Sequence, residues 1–155
     1  MKLEEKLTVR GHLRIDKYDA AGKLYEVTEA ENIFLTVGIN EIWKLATGQS
    51  TATFTNATAT IGIGDSATAA AAGQTDLQAA TNKTYKAMAA TYPTVPSAGA
   101  VQFQSVFASA DANYVWNEFV VRQGTSLICI DRGVQAMGTK ASGTSWTATI
   151  TLSMA

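Results

Sequence analysis

Reaction chemistry has little to work with in this chain, which holds one cysteine, one histidine and two prolines among 155 residues. The lone Cys129 excludes an internal disulfide and argues against a thiolate zinc site. No apolar run approaches the ~20 residues that span a bilayer. The opening MKLEEKLTVRGHL places acidic residues where a secretory leader needs its apolar region, so the expectation is a chain made and folded in cytoplasm. Charge is scarce as well: 16% of residues, net −1, with the basic side chains scattered and forming no stripe for phosphates. Nucleic acid and membrane are therefore not expected as partners. Between Lys44 and Lys83 the only charged side chains are Asp65 and Asp76. A solvated surface ordinarily mixes both signs of charge. A long segment of Thr, Ala, Gly, Gln, Ser and Asn instead suggests surface that lies against other protein.

What is present points to strands. Three Trp, five Tyr and five Phe argue for a folded chain. Leu7, Val9, Gly11, Leu13 and Ile15 alternate with Thr8, Arg10, His12 and Arg14, the period of a half-buried strand. Asp16–Gly22 is a turn, and Leu24–Val27 returns as a strand. Ile33–Thr47 is the one convincing helical segment, with Ile39, Ile42, Trp43 and Ala46 on one row, Thr36 as a cap and Gly48 as the stop. Ala57–Ile63, Lys83–Tyr92, Ala100–Ala108, Tyr114–Arg122, Ser126–Gln135 and Ser145–Met154 follow as strands, with Gly64–Gln78 as a long loop and Pro93 and Pro96 ending a strand. Tyr114–Val121 carries large residues on both faces and belongs in the interior of its sheet. The expectation is a mainly β chain: one antiparallel, jelly-roll-like β-sandwich over residues 1–155, a short helix near 36–47 and an N-terminal arm of about residues 1–6.

The motifs that suggest chemistry have simpler structural readings. Gly62-Ile-Gly64 lacks the helix and ribose-binding acid of a dinucleotide site, so it is a strand ending in a bend. Asp65, Ser66, Thr68 and Asp76 match no compact calcium loop, and the two aspartates make turn bonds. His12 has no nucleophile placed beside it, and Cys129 between Ile128 and Ile130 is a buried thiol. Glu118 and Asp131 have Arg122 and Arg132 as ion-pair partners. Trp43 and Trp146 belong to apolar rows of the core, whereas Trp116-Asn117-Glu118 suits an edge or a subunit contact. No catalytic residue, metal site or cofactor is expected.

The order of several segments carries a resemblance. Asp19–Leu24 (DAAGKL), Asn32–Gly48 leading into a helix, Ile61–Asp65 (IGIGD) and a Thr/Ala-rich loop ending Gln74–Gln78 (QTDLQ) come first. An aromatic strand with Trp116–Glu118, a hydrophobic strand to Arg132 and a closing Trp146–Leu152 complete it. In this order they resemble small virion proteins of tailed bacteriophages, from about residue 30 onward. The resemblance implies a β-rich, self-associating protein with no enzymatic residues, either a capsid decoration (cement) protein or a tail-tip, baseplate or fibre-attachment protein. For decoration, the expected partners are the major capsid protein and further copies of the chain, as a trimer, on the virion surface. The expected partner contacts are Leu3, Lys6, Asp65, Gln74, Asp76, Asn82, Tyr92 and Trp116.

Overall fold

A computed structural model describes residues 7–155. Among them, nine strands and one helix follow in the order β1 (Val9–Tyr18), β2 (Leu24–Phe34), α1 (Thr36–Ala46), β3 (Ala59–Gly64), β4 (Lys83–Ala87), β5 (Thr94–Ser97), β6 (Ala100–Phe107), β7 (Val115–Gln123), β8 (Asp131–Thr139) and β9 (Ser145–Met154). The strands form one antiparallel sheet in the order β4-β3-β7-β8-β2-β1-β9-β6-β5, curled into a half-barrel.

Alternation sets the inner face. On β1, Gly11, Leu13 and Ile15 point inward, paired with Leu152, Ile150 and Ala148 of β9. Across β9 lie Phe103, Ser105 and Phe107 of β6, opposite Ile150, Ala148 and Trp146. From the other half of the curl, Ile61 and Ile63 of β3 and Phe119 and Val121 of β7 close on the same core. Trp116 stands between Phe107 and Trp146, edge to face, each at 4.8 Å and 69°. Trp116 and Phe119, three positions apart, both face this core, and the pairing of β7 with β8 shifts register between Trp116 and Glu118, where β8 carries the extra residues. The curl is drawn together where the Ala89 N–H donates to the Gln104 carbonyl at 2.7 Å and Ser105 Oγ donates to the Lys86 carbonyl at 3.1 Å.

The two halves meet along β2 and β8, which share two registered pairs, Ile33–Arg132 and Phe34–Asp131. Beyond that joint Lys17 of β1 crosses the gap. Its Nζ, buried to 2% exposure, donates to the Met137 carbonyl at 2.7 Å, meets Glu26 at 2.6 Å and lies 4.4 Å from the Trp146 ring centre.

Several expected elements sit differently. The return strand expected at Leu24–Val27 runs on to Phe34, because its pairing with β1 continues to Asn32 opposite Gly11. The helix is capped by Leu35, whose extended backbone donates to the Ile130 carbonyl at 2.8 Å; Thr36 is its first residue and no side chain caps it. Trp43, expected in the core, is 63% exposed because α1 turns Gly38 and Glu41 inward instead. The strand expected at Lys83–Tyr92 stops at Ala87, and the proline segment forms the short edge strand β5. The strand expected at Ser126–Gln135 lies later, at Asp131–Thr139. The Gln123 side chain accepts the Thr125 and Ser126 N–H groups at 2.7 and 2.5 Å, which makes the preceding residues a tight turn.

Candidate functional site

The long segment 65–82, charge-poor in sequence, is strapped across the outer face of β3, β7 and β8. Glu118 faces outward from β7, away from the core that holds Phe119, and Arg132 of β8 faces it there. Both side chains are fully buried, with Arg132 Nη2 2.7 Å and Nε 3.0 Å from Glu118 Oε2. Fork-and-carboxylate geometry of this kind is the strong form of ion pairing. Each partner then spends its remaining capacity on the strap. Glu118 accepts the backbone N–H groups of Gln78 and Ala79 at 2.8 and 2.7 Å. Arg132 donates to Gln74 Oε1 and to the Thr68 carbonyl, both at 2.8 Å. The pair is therefore the peg on which the segment hangs.

A second anchor lies one turn further along. Asp76 accepts from its neighbour's Leu77 N–H at 2.8 Å, from Tyr85 Oη at 2.6 Å, and from Arg122 and Cys129 Sγ at 3.4 Å each. Arg122 stacks on the Tyr85 ring, 3.2 Å from its centre. Burial, with Asp76 adding to it, pushes the Tyr85 hydroxyl and the Cys129 thiol well above their ordinary values. Both groups are held as proton-bearing donors, so the cluster works as a clamp on Asp76 and supplies no thiolate. Leu77 drops from the strap into a small apolar cluster with Leu35, Val120 and Cys129.

The Gly62-Ile-Gly64 motif finds its physical reason here. A Cβ on Gly62 would run into the Tyr85 ring and Val120, and one on Gly64 would overlap the Glu118 carboxylate. Glycine lets both anchors lie flat against β3.

The sequence-predicted contact residues fall in different places. Asp65 and Asn82 pair with each other at 2.7 Å at the two ends of the strap, and Gln74 and Asp76 are its internal anchors. Tyr92, half-buried, accepts from Gln104 Nε2 at 3.3 Å, away from the strap. Trp116 cannot serve as a contact: it is fully enclosed, and its Nε1–H donates to the Ala112 carbonyl at 2.9 Å. Leu3 and Lys6 lie outside the described residues. Of the expected ion pairs, Glu118–Arg132 forms, but Arg122 turns to Asp76, and among the described residues Asp131 has no cation. Sequence reasoning does not reach Tyr85, nor the role of Gly62 and Gly64 beneath Tyr85 and Glu118; the alternation Thr60-Ile61-Gly62-Ile63-Gly64, small on every second position, is the available signal.

What the strap presents outward is small and uncharged: Ala67, Thr68, Ala69, Ala71, Ala72, Gly73 and Thr75 are all exposed. At the open end of the curl lies an apolar groove of about 620 Å³, lined among others by Phe34, Ile42, Phe54, Val95, Phe103 and Met154. His12 is exposed on the outer face of β1 with Glu29 at 3.8 Å. Among the described residues, no group of three or more His, Cys, Asp or Glu is placed to hold a metal, and no helix is long and apolar enough to cross a membrane. No protein family, curated protein or solved structure matches this chain.

Proposed function

We propose that this chain is a non-catalytic virion component of a tailed bacteriophage: a capsid decoration protein that sits on the outer shell as a homo-oligomer, a trimer, and ties neighbouring major capsid subunits together. The observation that carries this reading is the strap. Fully buried charges and two aspartate anchors are committed to fixing a segment whose exposed side is Ala, Thr and Gly. A surface held this firmly loses little conformational entropy when it docks, and small side chains allow close approach over a wide area. Many modest contacts, repeated in many copies, then sum to a large stabilisation of the shell. The finer architecture, a jelly-roll-like sandwich, belongs to the same reading; the two arms of the curl facing one core support it. The protein would be made in the host cytoplasm and work on the capsid surface, without cofactor, nucleic acid or membrane.

Copy number per particle tests the proposal directly. Quantitative mass spectrometry of purified virions should find hundreds of copies, in fixed ratio to the major capsid protein. A handful per particle would overturn decoration and favour a tail-tip, baseplate or fibre-attachment protein.

A further inference from the structure

Asp131 opens β8 at the joint between the two halves of the sheet, and its carboxyl group is fully buried with no cation beside it among the described residues. Oδ1 accepts the Val121 N–H of β7 at 2.6 Å, and Oδ2 meets the Asn32 side-chain amide of β2. Asn32 lies directly on Gly11 of β1, where any Cβ would overlap it. The other atom of that amide, Oδ1, is buried without a hydrogen-bond partner among the described residues. The charged groups nearby are committed elsewhere: Arg132 to Glu118 on the opposite face, and Arg122 to Asp76. The Cys129 thiol, which feels the charge of Asp131, carries its proton and donates to Asp76. Thus β7 offers Asp131 a backbone N–H, β2 an amide and β1 a glycine, and none of them a positive charge.

A buried carboxylate without a counter-ion is costly, and an unpaired amide oxygen beside it adds to the cost. One proton removes the charge. We propose that the β2–β8 joint is a proton-dependent clasp. With Asp131 neutral, its O–H donates to the Asn32 side-chain oxygen once that amide turns over. With Asp131 ionised, the enclosed charge goes uncompensated and the joint loosens.

The direction in pH follows. Burial carries the Asp131 carboxyl from 3.8 up to about 7, against the opposing pull of the N–H donors from Val121 and Asp131 itself and of Asn32. Between those values the folded chain holds a proton that the unfolded chain has released. The contribution of this group to stability is therefore full below pH ~4, falls as the pH rises, and levels off above about 7. From pH 5 to about 7 the span is two units, so the folding equilibrium constant falls about a hundredfold on account of this group.

Two measurements test the clasp. First, the side-chain carboxyl carbon of Asp131, followed by NMR in the unaltered protein, should titrate close to neutrality; titration below pH 5 overturns the proposal. Second, Asp131→Asn keeps an oxygen for Val121 and gives Asn32 a permanent N–H donor. Denaturant unfolding at pH 5 and pH 8 should show the variant losing about a hundredfold less between the two, and standing as the more stable protein at pH 8. Equal pH dependence in variant and parent also overturns it. The NMR titration decides alone if the variant fails to fold. Hydrogen-exchange protection of the Val121 N–H, higher at pH 5 than at pH 8 in the parent only, would locate the loosening at the joint.

Discussion

The two halves of the curled sheet share one core but treat their outer faces in opposite ways. On β1, β2, β9 and β6 the outer side chains stand open to solvent or bond sideways: Gln102 to Thr151 at 3.1 Å, Gln104 to Thr149 at 3.0 Å, Arg14 to Asp16 at 2.7 Å. On β3, β7 and β8 the outer face is itself an interior, roofed by the strap and held by fully buried charges. The first half rests mainly on apolar burial, with Lys17 as a buried cation, and gives a largely polar surface. The second spends desolvation on an ion pair, and recovers it through the backbone groups that the pair holds in place. Burying polar groups here specifies where a loop lies, which apolar packing between Ala and Thr side chains could not do.

Changes on either side can break that contrast. Glu118→Ala, which strands the Arg132 guanidinium and frees two strap N–H groups, should cost about 3–5 kcal/mol in denaturant unfolding. It should also open 65–82 to limited proteolysis. The double change Glu118→Leu with Arg132→Met should restore much of the stability but leave the strap susceptible; a protected strap would show that the pair does not hold it. In the other half, Ile150→Ala should cost a comparable about 2–5 kcal/mol through its cavity. There the proteolytic pattern of 65–82 should not change. Tyr85→Phe removes one donor to Asp76, worth about 1.5–3 kcal/mol for a bond to a charged acceptor. Outer-face changes should be smallest: Thr149→Ala and Ala71→Lys each within about 0.5 kcal/mol. Under the proposed function Ala71→Lys should nevertheless abolish binding to shells lacking the protein, measured by co-sedimentation, while Thr149→Ala leaves it intact.

The same contrast explains what could be foreseen from the chain alone. The sequence shows β1 and β9 well because one face is water and the other is core, so a period of two survives unbroken. In β7 both faces are covered, so alternation gives no sign there that the fold encloses Trp116. Gly138 looked like a turn but lies inside β8, opposite Trp116, so that strand was placed too early. Trp43 obeys helical spacing, yet spacing cannot tell which row of α1 meets the sheet; Gly38 and Glu41 do. In the strap, Asp65 and Asp76 were legible as loop anchors because they interrupt an otherwise neutral stretch. Their partners were not, since Tyr85, Arg122 and Cys129 arrive from three different strands and turns.

The outermost strand on one side of the sheet, β5, holds four residues, TVPS, and Pro96 among them has no N–H to give. An incoming strand would find a brief ladder with a missing rung, and on the other side β4 is already occupied by its contacts with β6. Runaway edge-to-edge polymerisation, the hazard of an open β-sheet, is thereby discouraged at both ends.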